Sequence, residues 1–272
     1  MLIARAPARI SFGGGGTDLP AYYLRYGGVV VSTTINRYAY TFISPSASNA
    51  LQIVSSDYNT FYRQPGYADL IWDGDLALPK AIIHHFGLRA GLEIFLASQV
   101  PPGTGLGSSG SVAVSMITAL AAWNGKKMSR AEIAELACYI EIEKMGMPVG
   151  KQDQYAAAFG GLNMISFSSE GVTVEPLSIS PETLEQLQSR LMLFFTGTSR
   201  RSSTILRYQK RESEKQEGVV VHSLHAIKEL ALSIREALEQ GDLQTFGELL
   251  DLSWQNKKNL APNLSNSFID QL

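Results

Sequence analysis

The stretch that most constrains this chain is Pro101-Pro102-Gly103-Thr104-Gly105-Leu106-Gly107-Ser108-Ser109-Gly110-Ser111. Leu92 to Val100, before it, alternates apolar and polar residues like a strand; Val112 to Trp123, after it, is rich in Ala, Val, Ile, Leu and Met, like a buried helix. A strand, a glycine-rich turn and a helix start in that order make an anion site. Glycine lets the backbone bend and approach a ligand closely, and the unpaired N–H groups of a first helical turn favour phosphate. The loop is therefore expected to hold a nucleotide's phosphates. Two readings compete with this. Gly105-x-Gly107-x-x-Gly110 formally fits the dinucleotide fingerprint of a nicotinamide-dependent oxidoreductase, although two prolines separate strand from turn. A P-loop is excluded because no Lys follows a glycine here. A ligand-free connection is the plain structural alternative.

A second glycine cluster opens the chain, in Ala6-Pro7-Ala8-Arg9-Ile10-Ser11-Phe12-Gly13-Gly14-Gly15-Gly16-Thr17-Asp18. Four consecutive glycines add backbone entropy without buried area, so packing explains them poorly and close approach of a ligand explains them better. A third Gly/Pro-bracketed turn, Gly146-Met147-Pro148-Val149-Gly150-Lys151-Gln152-Asp153, leads into a short apolar helix with Asp153 at its start. On residues alone Asp153 is an N-cap or first-turn acid as readily as a catalytic one, and Arg9 a surface ion-pair partner as readily as a site cation.

Composition narrows the function classes. With 272 residues, 45% hydrophobic and 18% charged, the chain can build two modest domains or one large one. A net charge of −2 gives no nucleic-acid footprint. The single cysteine, Cys138, sits in a helical apolar pattern and reads as a buried structural thiol. No signal-peptide pattern and no apolar run of membrane-spanning length is visible, so a soluble, cytoplasmic protein is expected. Neither His84-His85 nor His222-x-x-His225 has the partners of a metal site, and Asp69, Asp73 and Asp75 read as loop charges. Ser129-x-x-Glu132 is a capping box opening a helix to about Met145. A hairpin over 162–177 closes a first domain (1–187), and Leu191 to Thr196 reads as a buried strand opening a second, helix-rich one (188–272).

The three glycine-bearing motifs together resemble the GHMP kinases, the galactose, homoserine, mevalonate and phosphomevalonate kinases. The family's second motif, Pro-x-x-x-Gly-Leu-Gly-Ser-Ser, is matched by the loop ending at Ser109. Its first motif in galactokinases, Ala-Pro-Gly-Arg-Val-Asn-Leu-Ile-Gly-Glu-His-Thr-Asp, aligns without a gap on Ala6 to Asp18; Gly15 and Gly16 replace the Glu-His pair, which argues against galactose. Arg5 to Asp18 and Gly150 to Gly161 look closer still to the heptose 7-phosphate kinase branch. A C-terminal third motif is absent, so the sequence is expected to be a piece of a longer chain.

The resemblance implies an α+β, two-domain fold with mixed or antiparallel sheets, helices on one face, and an incomplete, helix-rich C-terminal domain. It implies ATP and Mg²⁺, with the phosphates held by Pro102, Gly103, Thr104, Gly105, Leu106, Gly107, Ser108, Ser109 and Gly110. Ser109 (or Ser108) and Glu141, preferred to Glu143, are the implied metal ligands. Asp153 is the implied acid–base residue, with Arg9 beside it. Gly14, Gly15, Gly16, Thr17 and Asp18 would bind the sugar, and Arg200 and Arg201 its distal phosphate. The expected reaction is phosphorylation of the anomeric hydroxyl of a heptose 7-phosphate; other readings are a fucose or hexose kinase, the oxidoreductase, or a catalytically silent sugar-binding relative. The partner is a small sugar phosphate, without nucleic acid or membrane, and a homodimer is allowed.

Overall fold

The computed structural model describes residues 1–66, 70–88, 91–196, 202–215, 217–262 and 264–271. Two compact units are each built from several segments of the chain. The first comprises Met1–Arg9, Thr34–Met147 and Asp153–Gly160; the second comprises Ile10–Thr33, Pro148–Gln152 and Gly161–Leu272.

In the first unit the sheet order is β4 (Thr60–Pro65), β3 (Ala50–Ser55), β5 (Leu92–Ser98) and the later part of β2 (Gly28–Pro45). β3 and β5 run parallel and the other pairs antiparallel, with Ile53 opposite Ile94 and Phe42 opposite Phe95. β5 buries Leu92, Ile94 and Leu96 and turns Glu93 and Phe95 outward. That two-residue alternation is the mark of a sheet covered on one face. The covering helices are α2 (Ala77–Phe86), α3 (Ser108–Trp123), α4 (Arg130–Cys138) and α5 (Gln152–Phe159). α3 is buried nearly all round, and its Met116, Ile117 and Leu120 pack with Ile43, Ile53 and Ile82 in one core.

Helix α4 opens on the expected capping box, Ser129 and the Glu132 backbone and side chain exchanging hydrogen bonds. It does not run on to Met145 as an α-helix. From Tyr139 to Lys144 the chain winds as a π-helix. Such wider turns are uncommon and concentrate at functional sites.

The second unit pairs the first part of β2 with β6 (Leu162–Ser168), and β6 with β7 (Gly171–Pro176), all antiparallel. β1 (Leu2–Gly13) pairs with β2, and both strands pass through the two units. α1 (Pro20–Tyr26), α6 (Pro181–Arg190), α7 (Ser202–Ser213), α8 (Val219–Gln240), α9 (Leu243–Lys258) and α10 (Ser267–Gln271) complete it. α8 contributes Ala231, Ile234 and Leu238 to a core with Phe12, Val31 and Phe246. The strand expected over Leu191–Thr196 is not formed. Met192, Leu193, Phe194 and Phe195 are 77, 63, 66 and 69% exposed. An extended apolar segment becomes a strand only when an edge is there to pair with it, and none of the described strands does so.

Candidate active site

In the first unit the glycine-rich loop leads into α3, which begins at Ser108, four residues earlier than the apolar run suggests. Gly103, Gly105 and Gly107 all have positive φ (77°, 79° and 73°), which alternates the direction of successive peptides and is open chiefly to glycine. Gly107 occupies the helix N-cap position without a side-chain cap, so the first-turn N–H groups of α3 have no capping oxygen from that residue. Arg9 clamps the loop: its backbone N–H donates to the Leu106 carbonyl (3.0 Å) and its guanidinium to the Gly105 carbonyl (2.6 Å).

Arg9 also reaches Asp153, in the first turn of α5, with Nε at 2.8 Å and a terminal nitrogen at 2.5 Å. Both bonds end on the same carboxylate oxygen. The guanidinium is nearly enclosed, its side chain 10% exposed, whereas Asp153 keeps 27%. Two glycines let the loop close on this pair. A Cβ on Gly110 would stand 2.8 Å from the Asp153 Cβ, and one on Gly107 3.2 Å from the Arg9 Cγ.

Glu141 lies in the π-helical turn. It is buried, while Glu143, two residues on, is exposed. Its carboxylate accepts a hydrogen bond from Gln154 Nε2 (2.6 Å) and another from Ser109. Burial, reinforced by the charge of Asp153, pushes its carboxyl up to about 7 despite those two bonds. Gln154 Oε1 is itself buried without a hydrogen-bond partner. A buried carboxylate and a serine hydroxyl beside a second acid are hard oxygen donors suited to Mg²⁺, which takes one or two carboxylates and completes its shell with phosphate oxygens and water. Among the described residues no group of three or more His, Cys, Asp or Glu is placed to hold a metal by itself.

In the second unit the residues expected to read the sugar form a self-tied turn. The Thr17 hydroxyl bridges the Gly14 and Val29 carbonyls (2.8 and 2.9 Å) and accepts from the Val29 N–H (3.0 Å). Asp18 is 2% exposed. Its carboxylate accepts from the backbone of Gly16 (3.0 Å) and from the backbone and amide of Gln152 (3.1 and 3.2 Å). A Cβ on Gly150 would collide with that carboxylate. Thr17 and Asp18 are thus engaged first with the protein, and they fix the path of the turn. Arg200 and Arg201 lie outside the described residues.

Sequence reasoning passed over Gln152 and Gln154. Their signal was present: two amides flanking a lone acid at a helix start, where they can support neighbouring carboxylates without changing the charge.

The first unit thus sets a glycine-rich helix start against an acid and a cation, Asp153 and Arg9. The GHMP kinase N-terminal domain family matches residues 76–161. A D-glycero-alpha-D-manno-heptose 7-phosphate kinase of Campylobacter jejuni is 32% identical, over 98% of this chain and 80% of its own length. The chain belongs to the GHMP kinases. Among solved structures, a D-glycero-D-manno-heptose 1-phosphate kinase from Bacteriodes thetaiotaomicron is 30% identical with a TM-score of 0.80, covering 95% of this chain and 79% of that one. A Lactococcus lactis galactokinase, at 18% identity and a TM-score of 0.67 over 95% of this chain and 76% of that one, shares the fold. Among the described residues no helix is long and apolar enough to cross a membrane.

Proposed function

We propose that this protein is an ATP-dependent kinase that phosphorylates the anomeric hydroxyl of a heptose 7-phosphate. The observation that carries the reading is the Arg9–Asp153 pair enclosed under the glycine loop. Phosphoryl transfer needs positioning and charge neutralisation more than covalent chemistry. The backbone of residues 102–110 and the start of α3 hold the ATP phosphates. Asp153 accepts the proton of the attacking hydroxyl through the oxygen that Arg9 leaves open, while Arg9 fixes the carboxylate and offsets charge on the group in flight. Ser109 and Glu141 would hold Mg²⁺, which would neutralise charge on the ATP phosphates. Gly14, Gly15, Gly16, Thr17 and Asp18 shape the acceptor turn, and Gln152 precedes Asp153 directly in the chain. Arg200 and Arg201 remain our assignment at the substrate's distal phosphate.

The names of the relatives place the substrate phosphate differently, at C7 in one and C1 in the other. Transfer to the anomeric oxygen requires that oxygen to be free, which favours the 7-phosphate. A bifunctional fucokinase/GDP-fucose pyrophosphorylase of Arabidopsis thaliana, 28% identical over 98% of this chain and 27% of its own length, makes fucose the second reading. ADP release from the intact protein, screened against heptose 7-phosphate, heptose 1-phosphate, free heptose, fucose and mannose phosphates, tests both. Highest kcat/KM on heptose 7-phosphate is expected; preference for fucose, or no turnover with any sugar, overturns the proposal. A cytoplasmic setting and a homodimer belong to the same reading, the latter checked by sedimentation.

A further inference from the structure

The run Gly13-Gly14-Gly15-Gly16 divides sharply once its surroundings are considered. A Cβ on Gly13 would meet Ile234 at 2.9 Å and the Ala231 backbone at 3.1 Å. Gly14 has φ 84° and would drive a Cβ into the Val29 carbonyl; Gly16 has φ 103° and lies against Leu224 at 3.1 Å. Packing or backbone geometry therefore accounts for three of the four, against the expectation from sequence. Gly15 is different. Its φ is ordinary, and the nearest atoms to a Cβ there would be Ser11 Oγ at 3.6 Å, Lys257 Nζ at 3.7 Å and Gln152 Nε2 at 3.8 Å, all normal van der Waals distances. The fold would accept a methyl group at this position.

The three atoms nearest that space are an ammonium, an amide NH₂ and a hydroxyl, from α9, the start of α5 and β1, with the Asp18 carboxylate behind the amide. All three can donate hydrogen bonds, and one carries a positive charge. The Gln152 amide is held in place through Asp18 Oδ1. Donors converging on a bare Cα are the surroundings an anionic oxygen group requires.

We infer that Ser11, Gln152 and Lys257 form, over Gly15, a subsite for the phosphate monoester that the acceptor sugar already carries, with Lys257 the residue that separates phosphorylated from unphosphorylated sugars. The inference rests on the sugar-phosphate kinase reading above and adds a residue from α9 to it. Lys257 binds substrate here; it takes no part in proton transfer.

The test is calorimetric binding of heptose 7-phosphate and of unphosphorylated heptose to the intact protein, its K257M and K257R variants, and G15A. In K257M the ratio of the two dissociation constants is expected to shift against the phosphorylated sugar by about 10- to 100-fold, the value of a hydrogen bond to a charged group. K257R restores most of the ratio because the charge stays. G15A keeps the wild-type Tm, since its Cβ fits, yet weakens heptose 7-phosphate by crowding the subsite; that variant stands even where K257M destabilises the fold. An unchanged ratio in K257M, or G15A binding like wild type, overturns the inference while wild-type turnover on heptose 7-phosphate leaves the kinase reading intact. A wild-type protein that binds neither sugar overturns both.

Discussion

Arg9 gives two hydrogen bonds to one oxygen of Asp153, from Nε at 2.8 Å and a terminal nitrogen at 2.5 Å, and none of the described hydrogen bonds reaches the other oxygen, Oδ2. A side-on clamp of this kind differs from the symmetric fork in which a guanidinium caps both carboxylate oxygens. It fixes the rotamer of the acid while keeping one basic oxygen open. Asp153→Asn preserves shape and removes that base. The variant is expected to fold and bind ATP normally and to lose about 10²–10⁴-fold in kcat. Steady-state kinetics with a thermal-melt control decide it, and wild-type turnover would remove Asp153 from the mechanism.

Gly107 combines φ 73° with a Cβ position 3.2 Å from Arg9 Cγ and 3.3 Å from Asp153 Cγ. Gly107→Ala costs about 1–2 kcal/mol for the left-handed conformation and also displaces the pair beneath the loop. We expect ATP affinity to fall by roughly tenfold or more, one 1.4 kcal/mol step in binding free energy. Gly125→Ala is the control, with φ 66° and nothing near its Cβ; it carries the same conformational cost and should leave nucleotide affinity unchanged.

Glu141 sets a pH dependence. Its carboxyl is raised from 4.5 to about 7 in the folded protein, so the folded state binds more protons than the unfolded one between those values. Stability therefore falls as pH rises from 4.5 to about 7, by on the order of 3 kcal/mol if this group acted alone. Chemical denaturation with magnesium chelated should show that decline, and Glu141→Gln should flatten it. On the proposed assignment of Glu141 to Mg²⁺, which would favour the ionised carboxylate, the rise in Tm on adding Mg²⁺ with ADP is expected to be larger at pH 8 than at pH 6, and to shrink in Glu141→Gln.

Cys138 is 1% exposed among the apolar residues of α4. Alkylation by a thiol reagent should be slow in buffer and fast in denaturant, with activity unaffected over the labelling time that suffices for an exposed thiol. Rapid labelling of the folded protein would show that α4 opens locally.

Much of this was legible in advance where local chemistry decides the outcome. The capping box at Ser129 and Glu132 opens α4 as its pattern requires. Arg9, Asp153 and the 102–110 loop meet because three motifs carry their partners' shapes with them. Other features depend on what the chain meets in space. Leu191 to Phe195 has the composition of a core strand but stands exposed, because apolar periodicity reports a willingness to pair and not the presence of an edge. The glycine run looked uniform in sequence, whereas Ile234 and the Val29 carbonyl explain members that Lys257 does not. Lys257 itself was invisible as a site residue, since one lysine near a helix end reads as solvated.

The π-helical turn at Tyr139–Lys144 has one more consequence. It makes the placement of Glu141 depend on how many residues precede it within the segment, and not only on which they are. Losing a single residue between Cys138 and Glu141 would let the segment relax to an ordinary α-helix and swing the carboxylate by about 100° around the axis. Substitution scans leave that count untouched. In this chain the position of the buried acid is recorded in the length of a helix, where insertions and deletions read it and amino-acid exchanges do not.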